Sequence, residues 1–411
     1  MSALRERLDA AARTDAWLEP RRTRHDDRGA ALIRVAFNAT SLLSPLTGIG
    51  QYSHHLASGL AGCSETRPDF FYGAFWGQQV RTSPLAGSST LTPWLRRNLP
   101  YGYELRRVIQ NQRFARHARA ARFDIYHEPN ILPLTFDGPT VITVHDLSWI
   151  QHPQAHPPER VKAMDKYFEP GLARASLILT DSEFVKGELV DVFGVAPERI
   201  RPVLLGAEAL FCPMLPEQTR KALDAHGLTH GHYLLAVGTL EPRKNLSVAL
   251  RAFMQLSAPL RKRFPLVLVG MKGWHTSALE KQIAPLIAAG EIRLLGYLPR
   301  EDLAAVVAGA TALVYPSIYE GFGLPPLEAM ACGVPVITSN VSSIPEVVGD
   351  TGLMLDPQDV EGFAGAMELV LTNPEERARM AALALARSSQ FSWAKCVSQT
   401  VDAYKFVLNK S

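Results

Sequence analysis

Short apolar runs recur along the whole chain, each separated from the next by a longer stretch with helical spacing, and this alternation is what most restricts the fold. The first series runs Leu32–Phe37, Phe70–Phe75, Phe123–Tyr126, Val141–Val144, Leu177–Thr180 and Pro202–Leu205. The second runs Tyr233–Val237, Leu266–Val269, Ile292–Leu295, Ala312–Tyr315, Val334–Ile337 and Leu353–Leu355. Several runs are continuous rather than alternating, the pattern of strands covered on both faces. Strands alternating with helices favour parallel sheets joined by crossovers. Two series therefore predict two Rossmann-like, doubly wound α/β domains, and 411 residues are too many for one ordinary core. The break is expected near 207–232, which is polar, proline-containing and poor in β-branched residues. The predicted parts are a flexible tail over 1–30, a first domain over 31–208, a second over 209–390, and a terminal helix over 391–411. In that helix Trp393, Val397, Val401, Tyr404 and Leu408 recur at helical spacing, so it should pack on a core, back toward the first domain.

A formal charge of +3 is too small to imply nucleic acid. The four cysteines, Cys63, Cys212, Cys332 and Cys396, are far apart and lack metal spacing, which reads as reduced cytosolic thiols. Residues 1–30 have no apolar signal core, and no run reaches the roughly 18 apolar residues of a membrane span. The expected location is cytoplasmic. Basic charge gathers in one place. Between Trp94 and Phe123 stand Arg96, Arg97, Arg106, Arg107, Arg113, Arg116, Arg119 and Arg122 against the single acid Glu104, interleaved with Leu99, Tyr101, Leu105, Val108 and Ile109. Such a segment is drawn to an anionic lipid surface at about 1 kcal/mol per nearby Lys or Arg. Residues 94–122 are thus expected to hold the protein peripherally on an anionic membrane surface; the alternative is a solvated amphipathic helix pair.

In open α/β sheets ligands bind at the carboxyl ends of the strands, and two such domains face each other across one cleft. The densest signal there is 316–349, PSIYEGFGLPPLEAMACGVPVITSNVSSIPEVVG. A strand enters the turn Glu320-Gly321-Phe322-Gly323, a helix starts near Pro325 or Pro326, and Gly333 ends it. Backbone N–H groups at such a helix start suit a phosphate. Glu320 and Glu328, the latter expected in the first helical turn, flank that site as acceptors for sugar hydroxyls. Taken singly, Glu328 would only complement the helix dipole and Glu320 would be a solvated loop residue. A second cluster, GTLEPRKN at 238–245, follows the first strand of the second domain and brings Arg243 and Lys244 to a strand-to-helix passage. In the first domain Thr47-Gly48-Ile49-Gly50 opens a helix after the first strand; Ser53 stands where a dinucleotide fingerprint has its third glycine. His127 and His145 end consecutive strands, followed by Glu128 and Asp146. Asp181 and Ser182 end another, at the cleft or as a helix cap.

Glu320 and Glu328, with GFGLPPL between them, resemble the signature of the retaining glycosyltransferases of family 4, which have the GT-B fold. The resemblance covers about residues 32–408 and extends to GVPVIT at 333–338 and SSIPEVVG at 342–349. It implies transfer of a sugar from a nucleotide-diphosphate donor. Lys244 and Arg243 would clamp the diphosphate, although many members carry an arginine directly after the glycine where Thr239 stands here. Glu328 would hold the ribose and Glu320 the donor sugar; Gly321, Phe322, Gly323, Leu324, Gly48 and Gly50 would offer main-chain N–H groups. His127 would touch the donor sugar, and His145, Asp146, Asp181 and Ser182 would face the cleft or the acceptor. The HDLSW run resembles bacterial mannosyltransferases using GDP-mannose, with a glycan or polyprenyl-diphosphate-linked oligosaccharide as acceptor. No D-x-D pair occurs in the chain, so neither metal nor other cofactor is expected. The rival readings are a UDP-sugar donor, an NAD-binding oxidoreductase suggested by the 48–50 loop, and a silent sugar-nucleotide-binding subunit.

Overall fold

The structure, a computed structural model, describes residues 32–44, 46–82, 102–156, 158–271 and 277–410. The tail expected over 1–30 and the basic stretch up to Tyr101 lie outside the described residues.

Seven strands form the first sheet: β1 (Ile33–Asn38), β2 (Thr66–Phe71), β3 (Trp76–Gly77), β4 (Ile125–Glu128), β5 (Thr140–Val144), β6 (Leu177–Thr180) and β7 (Ile200–Pro202). Their order is β3-β2-β1-β4-β5-β6-β7. The second sheet has β8 (Leu234–Val237), β9 (Leu266–Val269), β10 (Ile292–Gly296), β11 (Ala312–Tyr315), β12 (Val336–Ser339) and β13 (Leu353–Leu355), ordered β10-β9-β8-β11-β12-β13. All pairings are parallel except β2 with β3. The strand order reverses beside β1 and β4 in one sheet and beside β8 and β11 in the other, and a crevice opens at such switch points.

The continuous apolar runs have the cause expected of them. Along β8 and β9, Leu234, Ala236, Leu266 and Leu268 enter one core cluster, while Leu235, Val267 and Val269 enter another on the opposite face. Each residue is buried whichever way the pleat points it. Two strands sit off their expected positions. β2 begins at Thr66 rather than Phe70 and includes Pro68, tolerated because β3 pairs only Phe70 and Phe71 and leaves the rest an edge. β12 starts at Val336, after Pro335, rather than at Val334.

The terminal helix, Trp393–Leu408, packs on the first sheet: Cys396, Val401, Tyr404 and Val407 share a core with Val35, Phe37, Leu56 and Leu60. Gly59 lets this helix approach the Gly48–Gly62 helix, since a Cβ there would lie 2.3 Å from Val397. Phe322, Leu327 and Val347 from the second half join that same core, so the two sheets share apolar packing.

The basic stretch forms the Gly102–Ala121 helix. Its arginines are not uniformly solvated. Arg107 donates to the Pro133 carbonyl at 2.8 Å and lies over the Tyr167 ring, and Arg119 pairs with Asp137. Phe114 is buried, whereas Leu105, Val108 and Ile109 are exposed by 62, 51 and 40%. Among the described residues no helix is long and apolar enough to cross a membrane.

Candidate functional site

At the carboxyl end of β8 the chain turns through a short Pro242–Lys244 helix that presents Arg243 and Lys244. Asn245, left-handed at φ 52°, pins the turn by donating to the Pro316 and Pro357 carbonyls at 3.1 and 2.6 Å. Lys244 Nζ donates to Glu320 Oε1 at 2.6 Å and to the Tyr315 hydroxyl at 2.8 Å. Arg243 donates to Glu241 at 2.8 Å, to the Tyr319 carbonyl at 3.0 Å and to Glu320 Oε2 at 3.3 Å. Glu320 Oε1 also accepts from the Tyr315 and Ser317 hydroxyls. Burial alone would raise this carboxyl, but Lys244 and Arg243 together hold it below the usual carboxylate range. Two cations and two acids thus form one compact cage in a dry place. Thr239, two residues past β8, is half-buried, and its side chain makes no hydrogen bond among the described residues.

The loop after β11 enters the Leu324–Ala331 helix through Gly323, at φ 111°. This helix starts earlier than expected, so Glu328 lies in its second turn and does not serve the dipole. Its Oε1 accepts instead from Arg300 at 2.7 Å. Burial holds the Glu328 carboxyl above the usual range even against the Arg300 charge. Ser343 Oγ donates to the Glu320 and Phe322 carbonyls, both at 2.9 Å, and Ser182 Oγ donates to the Gly321 carbonyl at 2.8 Å. In a trans peptide C=O and N–H point opposite ways. The Gly321, Phe322 and Gly323 N–H groups are therefore turned away from those hydroxyls, and none has an acceptor among the described residues.

Across the cleft the two predicted histidines differ. The His127 ring is fully buried, with Nδ1 on the Tyr404 hydroxyl at 2.6 Å and Nε2 on Thr143 Oγ1 at 2.8 Å. Burial, then the neighbouring His145 charge, push it down to about 3. It is a neutral core residue here. Both nitrogens are occupied, one by Thr143 of the first domain and one by Tyr404 of the terminal helix. His145 is held by acceptors alone: Nδ1 by Asp181 Oδ2 at 2.7 Å and Nε2 by the Pro129 carbonyl at 2.8 Å. Burial raises the Asp181 carboxyl even against the His145 charge; while Asp181 is ionised neither partner donates, and both ring nitrogens carry protons. Burial works against that charge, but Asp181 and the Pro129 carbonyl raise the His145 pKa above its ordinary value. Asp146 accepts from the Ser148 N–H and hydroxyl at 3.0 and 2.6 Å. Burial would raise it, but the Arg243 charge and the Ser148 hydrogen bonds together outweigh that and hold it low.

Several contacts join the halves at this place. Gly321 meets the His145 backbone so closely that a Cβ would lie 1.8 Å from the His145 oxygen. Ser182 both caps the Glu183–Phe193 helix through Val185 N–H and holds the Gly321 loop. Glu346, not singled out in the sequence, accepts from the Glu183 and Phe184 N–H groups at 2.8 and 2.7 Å. Tyr319, also missed, accepts from Leu147 N–H and donates to Glu188. The Gly48–Gly62 helix starts at Gly48 as expected, with open space before a Cβ there. Gln51 then reaches toward Glu208 and Arg300, which places the glycine loop near Glu328. Among the described residues no group of three or more His, Cys, Asp or Glu is arranged to hold a metal.

The family described as "Glycosyl transferases group 1" matches residues 221–386, and that described as "Glycosyltransferase Family 4" matches residues 46–208. The chain is similar to the O-antigen chain mannosyltransferase B of Escherichia coli, 39% identical over 383 residues that cover 91% of this chain and 100% of that protein. Among solved structures it is similar to sucrose-phosphate synthase of Thermosynechococcus elongatus, with TM-score 0.72, 19% identity, and 92% and 100% of the two chains covered. It is also similar to HepE of Anabaena in complex with UDP and glucose, with TM-score 0.68, 17% identity, and coverage of 91% and 99%. These two structural likenesses are of fold.

Proposed function

The chain belongs to the family 4, group 1 glycosyltransferases, and from that premise we propose that it moves mannose from GDP-mannose to a glycan acceptor in O-antigen-type polysaccharide synthesis. The single observation that carries the sugar is the 39% identity with a mannosyltransferase over 91% of this chain. The second domain, 209–390, holds the donor, and the first, 31–208, faces the acceptor.

The cage at the end of β8 supplies the chemistry. A leaving diphosphate gains negative charge as the sugar bond breaks, and fixed cations in a dry site stabilise that charge. Lys244 uses two of its three donors in the free protein, so a phosphate oxygen takes the third and competes with Glu320 for the rest. Glu320, eased from Lys244, grips hydroxyls of the donor sugar. The unpaired N–H groups of Gly321, Phe322 and Gly323 and those of the Gly48–Gly50 turn complete the phosphate cradle. Glu328 takes the ribose. The acceptor enters past Asp146 and attacks from the face the diphosphate leaves, so the sugar keeps its anomeric configuration. With these groups meeting the diphosphate charge, transfer proceeds without added metal and survives chelator.

The exposed Leu105, Val108 and Ile109, beside the exposed Arg113 and Arg116, fit a peripheral contact with anionic lipid near a lipid-linked acceptor. Flotation with anionic liposomes at low salt checks that contact; protein left at the bottom of the gradient refutes it.

The donor test is nucleotide release across GDP-mannose, UDP-glucose and UDP-N-acetylglucosamine, with binding titrations of NADH against GDP to separate a dinucleotide-binding protein. GDP-mannose is expected to turn over fastest. Faster release from a UDP-sugar would replace the donor assignment, and binding without turnover of any donor would mark a silent subunit.

A further inference from the structure

Arg300 opens the Arg300–Ala308 helix, which follows β10. Its guanidinium does three things at once. One nitrogen donates to both Glu208 and Glu328. The plane lies over the Phe211 ring, 4.6 Å from its centroid. Its Nε meets the Gln51 side chain at 3.2 Å when that amide is turned to suit both neighbours, its nitrogen then reaching Glu208 at 3.3 Å. His55 adds a contact to Glu208 at 3.4 Å. A fork this stacked and this bonded is fixed in place. Glu328 itself has no other hydrogen-bond partner among the described residues: Arg300 takes Oε1 and leaves Oε2 open.

We infer that Arg300 is a positioning residue for the nucleotide ribose, holding Glu328 ionised and aimed so that Oε2 accepts a ribose hydroxyl. This rests on the assignment of Glu328 to the ribose made above. A buried carboxyl without a cation takes up a proton, and a protonated carboxyl loses acceptor capacity toward two adjacent hydroxyls. Two acids share the one guanidinium, and its charge and hydrogen bond, with a smaller help from His55, are what oppose the burial that raises Glu328. Burial would raise Glu208 too, but His55 and Arg300 offset that and hold it low. Glu208 therefore remains a competitor for Arg300 rather than a proton reservoir. Gln51 and His55 belong to the Gly48–Gly62 helix, so the guanidinium also ties the ribose site to the glycine loop of the other domain.

The test is titration of the full chain with GDP between about pH 6 and 9, a window that brackets a raised carboxyl. Wild type should bind with little pH dependence. Arg300→Met should bind about tenfold more weakly at the acid end and recover as pH rises and Glu328 ionises. Glu208→Gln keeps the Arg300–Glu328 contact and should follow the wild-type profile. A flat profile for Arg300→Met, or an equal loss in both variants at every pH, overturns the inference, because a purely structural cluster would behave that way. If Arg300→Met does not fold, Arg300→Lys is read by the same profile and should fall between the two. Glu328→Ala separates the premise: unchanged GDP affinity there removes the ribose assignment and the inference with it, whereas a loss in Glu328→Ala beside a flat Arg300→Met removes the inference alone.

Discussion

In the second half of the molecule the charges of the site stand on two short segments, 241–244 and the loop after β11, and they neutralise one another within a single cage. In the first half the charges are Asp146 and a histidine at the end of β5 paired with Asp181, and the acceptors around that histidine come from the ends of β4 and β6. One strand over, at the end of β4, a second histidine is neutral. These two histidines stand at the ends of adjacent strands of one sheet. What differs is the partner: acceptors alone fix a proton on each nitrogen of His145, while hydroxyls that both give and take let His127 stay uncharged. Charge state in such a site follows from the neighbours each ring is given, not from its position on a strand.

The largest effect should come from breaking the charged pair. His145→Leu leaves the Asp181 carboxylate buried without its cation, and about 3–5 kcal/mol of stability should be lost, read by denaturant unfolding. The sign of the pH dependence sharpens the same point. His145 is raised in the folded state, so its contribution is whole below the ordinary histidine value of about 6.5 and fades as pH climbs through the raised value. Asp181→Asn turns a carboxylate into an amide that donates to Nδ1. The buried ring is then neutral, its pKa falls below the ordinary value, and stability should instead decline on acidification. Melting temperatures across pH for the two proteins should slope in opposite senses; parallel slopes would break the contrast.

Next in size is Lys244→Ala, for which kcat should fall on the order of 10²–10³, about 2.7–4 kcal/mol, with the fold intact by circular dichroism. An active Lys244→Ala enzyme would move the diphosphate elsewhere. The smallest effect belongs to the neutral ring. His127→Phe strands the Tyr404 hydroxyl in the core, while Thr143 keeps its bond to the Tyr52 hydroxyl at 2.8 Å. About 1–3 kcal/mol should be lost in unfolding. Because His127 is depressed when folded, its contribution exists above about pH 6.5 and is lost as pH falls, so His127→Phe should be less acid-sensitive than wild type.

The second domain's site was legible because its residues are close in sequence: Glu320, Gly321 and Gly323 sit in one turn, and Arg243 and Lys244 are neighbours after one strand. The strand runs were legible because burial on both faces removes polar residues from them. Residues joined only by folding were not. Tyr404 reaches His127 across 277 positions, and Glu346 caps a helix 162 positions away. Arg300 follows a strand with no motif to mark it, so the cation that meets Glu328 could not be read from the sequence. His127 and His145 could not be told apart, since each ends a strand and precedes an acid; the hydroxyls of Thr143 and Tyr404 and the carboxylate of Asp181 make the distinction.

A crystal structure with GDP tests the central claim most directly. The account predicts diphosphate oxygens about 3 Å from Lys244 Nζ and the Arg243 guanidinium. It also places the ribose on Glu328, with the Lys244–Glu320 contact lengthened to free that acid for a sugar. Nucleotide bound away from the end of β8, or Lys244 and Arg243 still locked to Glu320 and Glu241 with the phosphates out of reach, would contradict it.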